Sequence, residues 1–195
     1  GFRRVGTVLA DAGHPHAPLL LDVAARTAQE AADALGVALG QIAKSVVFRR
    51  VSDDVAVLVV TSGDRRVDEG KVAAITGPLG RAGADRHGHA VVVQDERRDG
   101  RLVPAPLAVG HVGARHRLLQ AGPLGRAGAD FVKARTGFVI GGVSPVGHRE
   151  RPLILIDRDL HRFDLIWAAA GHPNGVFRLT PQQLEALTGA AVQDV

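Results

Sequence analysis

Two runs of β-branched and apolar residues lie close together in the first third of the chain, from Lys44 to Arg50 and from Val55 to Thr61. The polar triplet Ser52-Asp53-Asp54 separates them. Short runs of this composition around a polar turn are typical of two neighbouring strands, because branched side chains pack well on a pleated sheet. The chain is therefore expected to build a sheet around this strand pair.

A short helix is predicted just before the strand pair. Thr27 and Glu30 have the spacing of a capping box, in which the two residues satisfy each other's backbone N–H groups. The Ala-rich segment that follows favours helix, and Gly36 is typical of a helix end. These features predict a helix over 27–35.

Further elements follow from cap and turn residues. A helix is predicted over 68–76, and Thr180-Pro181 predicts the start of a terminal helix. Asp130 is expected to cap a short helix over 131–135. The apolar run 138–140 is expected to form a strand that leads into a glycine-rich loop.

The order of these elements indicates the fold class. Apolar runs at 153–156 and 165–169 predict more strands, but strand and helix do not alternate regularly along the chain. A doubly wound nucleotide-binding fold requires that alternation. The sequence therefore predicts an α+β fold with a mixed, curved, partly barrel-like β-sheet and helices packed on it.

An identical nonapeptide, Gly-Pro-Leu-Gly-Arg-Ala-Gly-Ala-Asp, occurs at 77–85 and again at 122–130. Only these nine residues recur, which argues against a repeat architecture. The chain is interpreted as a single domain, 1–195, with a surface insertion at about 86–130 that could hold a hairpin between 91 and 103. The insertion is either looped out at the surface or a basic arm that touches RNA.

Composition narrows the class of protein. A chain of 195 residues with 46% hydrophobic residues can bury one core. No apolar run approaches the roughly 18 residues that span a bilayer, so no membrane association is expected and the location is predicted to be cytoplasmic. The chain has no cysteine, which excludes disulfides and thiolate chemistry. Its net charge of +4 only weakly favours a nucleic-acid partner.

Lys44 is the first candidate functional residue. It stands where a polar segment turns into a strand, which would place its ammonium at a sheet edge with Val46 and Val47 anchoring the backbone behind it. An ammonium there can bind phosphate or polarise an ester carbonyl. The common alternative is a lysine that only solvates the surface.

A glycine-rich loop closed by proline is the second candidate. Two adjacent glycines allow close approach of the backbone to a ligand, and a proline restricts the loop's end. Backbone N–H groups in such a loop can bind an oxyanion or an aminoacyl group. The loop reads Gly141, Gly142, Val143, Ser144, Pro145, Val146, Gly147 and His148.

Together these two segments resemble the YbaK/EbsC family, the prolyl-tRNA-synthetase-associated editing domains. The Gln41-Ile42-Ala43-Lys44-Ser45 segment fits the family's Gln-Ile-x-Lys-Ser/Thr pattern, and Gly141 to Pro145 fits its G-x-x-x-P loop. The resemblance implies an α+β fold and a functionally important lysine at position 44. It covers nearly all of the chain from about residue 20, except the insertion.

The resemblance also implies an activity. It predicts a free-standing trans-editing aminoacyl-tRNA deacylase, a hydrolase that cleaves the ester of a mischarged tRNA, namely tRNA(Pro) carrying a small non-cognate amino acid. Aminoacyl-tRNA is the expected partner, with prolyl-tRNA synthetase as a further one, and no cofactor is implied. Lys44 is the predicted catalytic residue, and the loop residues other than Val146 are predicted to bind substrate.

Several alternatives stay open at this stage. The fold could serve as a binding module for aminoacyl-tRNA or a nucleotide ligand without turnover, or as an adaptor whose insertion binds partners. His148 could contact the terminal ribose or be an ordinary loop histidine. The pairs His14/His16 and His87/His89 lack a third ligand at a recognised spacing, so no metal site is predicted. Asp157 is expected to be a helix cap or a structural acceptor rather than a base.

Overall fold

The computed structural model describes residues 1–23, 25, 27–77, 79–80 and 127–195. This part of the chain holds five α-helices, two short 3₁₀ helices and eight strands. The helices are α1 (Phe2–Asp11), α2 (Ala28–Leu35), α3 (Glu69–Thr76), α4 (Ala129–Thr136) and α5 (Pro181–Thr188), and the 3₁₀ helices are Leu39–Gln41 and Arg158–Arg162. The strands are β1 (Leu19–Leu20), β2 (Ile42–Arg50), β3 (Ala56–Ser62), β4 (Leu79–Gly80), β5 (Leu153–Asp157), β6 (Ile166–Ala169), β7 (Gly175–Leu179) and β8 (Ala191–Gln193).

The strands form one mixed sheet in the order β1-β7-β6-β2-β3-β5-β8, and β4 pairs with β2 beside this path. The pairs β2–β3, β2–β4, β6–β7 and β1–β7 are antiparallel, whereas β2–β6, β3–β5 and β5–β8 are parallel. The α+β class with a mixed sheet and packed helices is thus confirmed. Along the described strands the sheet stays open, with β1 and β8 at its two ends.

The predicted strand pair forms the centre of the sheet. β2 and β3 pair in continuous register from Ala43 opposite Ser62 to Arg49 opposite Ala56. All seven residues of β3 are buried, because both of its faces are covered. Leu58 and Val60 of β3 pack in the main core, whereas Val57 and Val59 pack in a second core on the other face.

The helices cover these two faces unequally. The main core contains residues of α1, α4 and α5, such as Val5, Val132 and Leu184. The second core contains Val72 of α3. In a third, smaller cluster, Ala31 and its neighbours on α2 pack against Ile42 at the start of β2. This last contact places α2 beside the strand that carries Lys44.

The predicted helix ends are confirmed where a cap defines them locally. Thr27 and Glu30 form the capping box of α2, and Gly36 ends the helix with a left-handed φ of 65°. The Asp68 side chain caps α3 by accepting from the Lys71 N–H. Thr180 caps α5, with proline at its first turn.

Two local predictions are wrong. Asp130 does not cap α4, because the helix begins at Ala129, two residues before the predicted start, with Gly128 as its N-cap and Asp130 in the first turn. Residues 138–140 are not a strand: Phe138 is buried in the main core, but Val139 and Ile140 are exposed. The Gly142 N–H donates to the Val139 carbonyl at 3.0 Å, so the backbone turns there and does not pair with a neighbour.

The predicted insertion falls largely outside the described residues. The hairpin expected between 91 and 103 lies there, and so does most of 86–130. The single-domain interpretation and the insertion therefore stay predictions. Among the described helices, none combines the length and the apolar character needed to cross a membrane.

Candidate active site

A cavity opens where β2 loses its neighbour. β2 pairs with β6 only at Ile42 and Ala43, and with β4 only at Arg49 and Arg50. Between these points, no described strand pairs with 44–48 on the side away from β3. The gap is part of the wall of a cavity of about 420 Å³.

The cavity wall is mostly apolar. Small and branched side chains of α2, β2, α4 and β6 line it, together with the turn before β7. Lys44 carries the only charge among the described side chains of the lining. A negatively charged group that enters the cavity would therefore be attracted to the Lys44 ammonium. The apolar wall screens this attraction less than water would.

The Lys44 ammonium is held by backbone carbonyls. It donates to the carbonyl oxygen of Gly63 at 3.3 Å and to that of Arg65, in the turn that follows β3. Glycine is required at position 63 because the turn packs against Leu39: a Cβ atom there would lie 2.2 Å from the Leu39 carbonyl oxygen. The half-buried lysine side chain is thus fixed at the cavity wall rather than extended into solvent.

The turn itself is held by a charged network. The Asp64 carboxylate accepts from the Ser62 hydroxyl at 2.7 Å and from the Arg162 guanidinium at 2.8 Å. These hydrogen bonds, from Ser62 and then Arg162, lower the pKa of Asp64, so that it stays ionised. Arg65 pairs with Asp159 at 2.5 Å. The network therefore positions the two carbonyls that hold Lys44.

Part of the glycine loop lies in the cavity wall with Lys44. Gly141 and Val143 line the cavity, next to Ile140. Gly141 has a left-handed φ of 88°. A Cβ atom on Gly142 would lie 2.8 Å from the His172 carbonyl carbon, so only glycine fits this approach to the 172–173 turn.

The loop offers fewer backbone donors than its sequence suggests. The Gly142 N–H is already bonded to Val139, and the Val146 N–H donates to the Ser144 hydroxyl at 3.3 Å. Within the described residues, the N–H groups of Gly141 and Val143 show no acceptor. Since both residues line the cavity, these two N–H groups are the candidate donors for an oxyanion there.

The remaining loop residues lie behind the cavity. Ser144 and Pro145 are buried, and neither they nor Gly147 and His148 line it. The His148 ring packs edge-on against Phe138, with ring centroids 5.7 Å apart. Burial lowers the pKa of His148 to about 4, although a hydrogen bond with the Ser144 backbone acts in the opposite direction. The ring is thus neutral at physiological pH.

Helix α1 reaches the same loop from a distant part of the sequence. The Arg4 guanidinium donates to the carbonyl oxygen of Gly147 at 2.5 Å and to that of Thr136 at 3.2 Å. It also lies over the Phe138 ring, 4.7 Å from the centroid. Arg4 therefore joins both ends of the segment from which the loop is built.

Two further polar residues near the strand ends, Asp157 and Ser62, have structural roles. The buried Asp157 carboxylate accepts from the Thr61 hydroxyl at 2.5 Å and from the Asp159 N–H at 3.0 Å, so it acts as a cap and acceptor as expected. Ser62 bonds to the Gly40 carbonyl and to Asp64, with no histidine in this network. No group of three or more His, Asp or Glu side chains that could hold a metal occurs in the described part of the chain. His87 and His89 lie outside it.

Sequence reasoning missed three contributors to the cavity. Trp167 lines it because β6 pairs with β2 over only two residues, and the helix α2 contributes Ala28 and Ala31. The carbonyls of Gly63 and Arg65 were not anticipated as partners of Lys44. The pairing of Ile42 on β2 with Trp167 on β6 places Trp167 near the cavity, but a single sequence does not reveal which strands pair or in which register.

The chain is similar to proteins from several sources. The model of the aminoacyl-tRNA editing domain matches residues 22–85 and 112–187. The uncharacterized protein YwhH of Bacillus subtilis (strain 168) is 26% identical over 171 residues, which cover 88% of this chain and 80% of YwhH.

Solved structures show the same architecture. A candidate trans-editing enzyme for prolyl-tRNA synthetase is 35% identical and superposes with a TM-score of 0.70 over 98% of this chain and 94% of its own. A protein from the computational grafting of epitopes onto scaffold proteins is 34% identical, with a TM-score of 0.71 over 99% of this chain and 95% of that one.

Proposed function

Because this chain belongs to the aminoacyl-tRNA editing domain family, we propose that it is a deacylase that acts in trans on mischarged tRNA. The bond cleaved is the ester between a small non-cognate amino acid and the 3′-terminal adenosine, and the tRNA is that for proline. The choice of tRNA(Pro) and of action in trans is supported by the similar structure of a candidate trans-editing enzyme for prolyl-tRNA synthetase.

One observation carries the proposal. Lys44 lines the same cavity as Gly141 and Val143 of the glycine loop, although a hundred residues of sequence separate them. A charged side chain and backbone donors can then act on one carbonyl group, which is the requirement for stabilising the oxyanion of ester hydrolysis.

The chemistry needs no strong nucleophile. A water oxygen attacks the ester carbonyl carbon, and negative charge develops on the carbonyl oxygen. The Lys44 ammonium stabilises this charge through its field in the apolar cavity, and the N–H groups of Gly141 and Val143 donate to it. The bond to the ribose oxygen then breaks, and that oxygen takes up the proton that the water loses.

The cavity wall supports a small and uncharged amino acid side chain. The described lining has no carboxylate, and most of its side chains around Lys44 are alanine, valine and isoleucine. A positively charged side chain would lose its hydration there without gaining a partner, and a carboxylate would take up the Lys44 ammonium that the ester carbonyl needs. Discrimination against proline would rest on shape, where one methylene is worth only about 1–3 kcal/mol.

A deacylation assay tests the proposal. tRNA(Pro) is charged separately with Ala, Ser, Cys and Pro, and the release of amino acid is measured with the wild type, Lys44→Met and Lys133→Met. Lys133 is an exposed lysine on α4 outside the cavity lining, so its variant is matched in charge. We expect Lys44→Met to slow release by about 10²–10³-fold, the size of effect that follows the loss of one group that stabilises an oxyanion. Equal rates for the two variants would refute the role of Lys44.

A second candidate is a binding module without turnover. It is favoured by the two backbone carbonyls that already hold the Lys44 ammonium, since this arrangement fits a positioned charge for binding as well as for catalysis. The assay separates the two functions. If the wild type binds aminoacylated tRNA but releases amino acid no faster than the uncatalysed rate, the protein is a binding module.

A further inference from the structure

A second cavity lies directly beside the first. It has a volume of about 310 Å³, and we call it the Arg178 groove. It is lined by Pro15, His16, Ala17, Leu19, Trp167 and Arg178. Trp167 lines both cavities, so the Arg178 groove and the cavity that holds Lys44 meet at this residue.

The sheet places Trp167 and Arg178 side by side. They are register partners in the antiparallel pair β6–β7. Their sequence neighbours Ala168 and Phe177 are buried in the main core. Since side chains alternate between the two faces of a strand, Trp167 and Arg178 share the face opposite the main core, where Trp167 is partly buried against the cluster around α2.

The Arg178 groove is suited to an anion. Arg178 is exposed, and none of the ion pairs among the described residues involves it. A guanidinium nitrogen of Arg178 lies 3.3 Å from Nδ1 of His16. Burial, followed by the nearby charge of Arg178, lowers the pKa of His16. Because a guanidinium only donates, Nδ1 accepts, and the neutral ring carries its proton on Nε2 as a second donor.

The other half of the Arg178 groove is apolar. Pro15, Leu19 and the indole of Trp167 line it, and Leu19 is 41% exposed. Proteins that bind single-stranded nucleic acid combine a cationic group for the backbone with an aromatic or apolar surface on which a base stacks. The Arg178 groove has both parts within the width of two neighbouring strands.

We propose that the Arg178 groove binds the nucleotide that precedes the terminal adenosine of the tRNA, with its phosphate at Arg178 and His16 and its base against Trp167. This inference rests on the proposed function, because it follows the RNA strand outward from the ester in the first cavity. The ligand class is a single-stranded RNA 3′ end, and the contact is independent of the amino acid.

RNA that carries no amino acid provides the test, because it has no aminoacyl ester to cleave. An RNA hairpin with a single-stranded 3′ overhang is titrated into the wild type, Arg178→Gln and Arg151→Gln. Arg151 is an exposed arginine just before β5, three strands away from β6 in the sheet, and serves as the matched control. Trp167 is the only tryptophan of the chain and lines both cavities, so its fluorescence reports an RNA 3′ end in either of them, and a change that depends on Arg178 assigns the signal to the groove. A blunt hairpin without the overhang is titrated in parallel.

We expect Arg178→Gln to weaken binding of the overhang several-fold and to reduce the slope of log affinity against log salt by about 0.7–1, the value of one phosphate contact. Arg151→Gln should match the wild type, and the blunt hairpin should bind equally to all three proteins. Quenching of Trp167 by the overhang in the wild type, weakened in Arg178→Gln but not in Arg151→Gln, would support the same site.

Equal affinities and salt slopes for Arg178→Gln and Arg151→Gln would overturn the inference, and so would an Arg178 effect of the same size on the blunt hairpin. The result is separable from the deacylation assay. If the wild type deacylates tRNA and Arg178→Gln binds RNA as the wild type does, the proposed function stands and the RNA site in the groove is refuted. If RNA binding depends on Arg178 but no deacylation occurs, the RNA site stands and the proposed function is refuted.

Discussion

The two walls of the candidate active site are held in different ways. On the lysine wall, Lys44 is fixed by a turn that a partly exposed charged network holds, through Asp64 and Arg162. On the loop wall, Gly141 and Val143 are supported by buried packing and by one arginine of α1. Exposed ion pairs contribute little to stability, whereas hydrogen bonds from a charged group to partly buried carbonyls contribute more. Changes on the loop wall should therefore affect folding, and changes on the lysine wall should affect chemistry.

The largest effect on stability is expected for Arg4→Met. The variant leaves the carbonyls of Gly147 and Thr136 without their donor and loses the contact with the Phe138 ring. We expect the free energy of unfolding to fall by about 1.5–3 kcal/mol, as measured by urea denaturation. The neighbouring exposed arginine gives the control, since Arg3→Met should change stability by less than about 0.5 kcal/mol. A similar loss for both variants would mean that Arg4 does not hold the loop.

The next effect is a pH dependence of stability that originates at His148. Its pKa in the folded protein is lowered to about 4, so the unfolded chain binds more protons between that value and 6.5. Stability is therefore full above pH 6.5 and falls as the pH drops through this window. The loss between pH 7 and pH 5 should be at most about 2 kcal/mol. His148→Phe, which keeps an aromatic ring against Phe138, should remove this part of the pH dependence in urea denaturation, and an unchanged profile would refute it.

Asp64→Asn is expected to have the smallest effect on stability. It should nevertheless have a measurable effect on the rate of deacylation. The amide keeps an acceptor for Ser62 but loses the ion pair with Arg162, so stability should change by less than about 1 kcal/mol. Displacement of the turn that holds Lys44 should slow deacylation about threefold to tenfold. Asp53→Asn breaks another exposed pair, with Arg50, far from the cavity and should leave the rate unchanged. A slower rate in both variants would contradict the distinction between the two walls.

Local signals made much of the fold predictable from the sequence. The capping box at Thr27, the cap at Asp68 and the Thr180-Pro181 start each involve residues within three positions of one another, and all three helices begin where expected. The β2–β3 pair was predictable for the same reason, because a short turn joins the strands. The run 138–140 was misassigned, since its apolar composition fits a strand and only its tertiary surroundings show that no strand lies beside it.

The site was predictable only in part. The sequence indicates Lys44 and the glycine loop, and the structure places Lys44, Gly141 and Val143 in one cavity wall. It could not indicate Arg4, whose bond to Gly147 spans 143 positions. Nor could it indicate Trp167, whose place depends on a pairing of two residues between β2 and β6. Contacts of this kind have no sequence period and follow only from the assembled fold.

Helix α1 precedes the region that the editing-domain model matches, which starts at residue 22. A version of the protein trimmed to that boundary would keep Lys44 and the glycine loop. It would lose Arg4, whose hydrogen bonds to Gly147 and Thr136 hold that loop. Such a fragment would be a poor reagent for measuring specificity. The unit to express, crystallise or graft onto another protein should therefore include α1, which lies before the region that the family match covers.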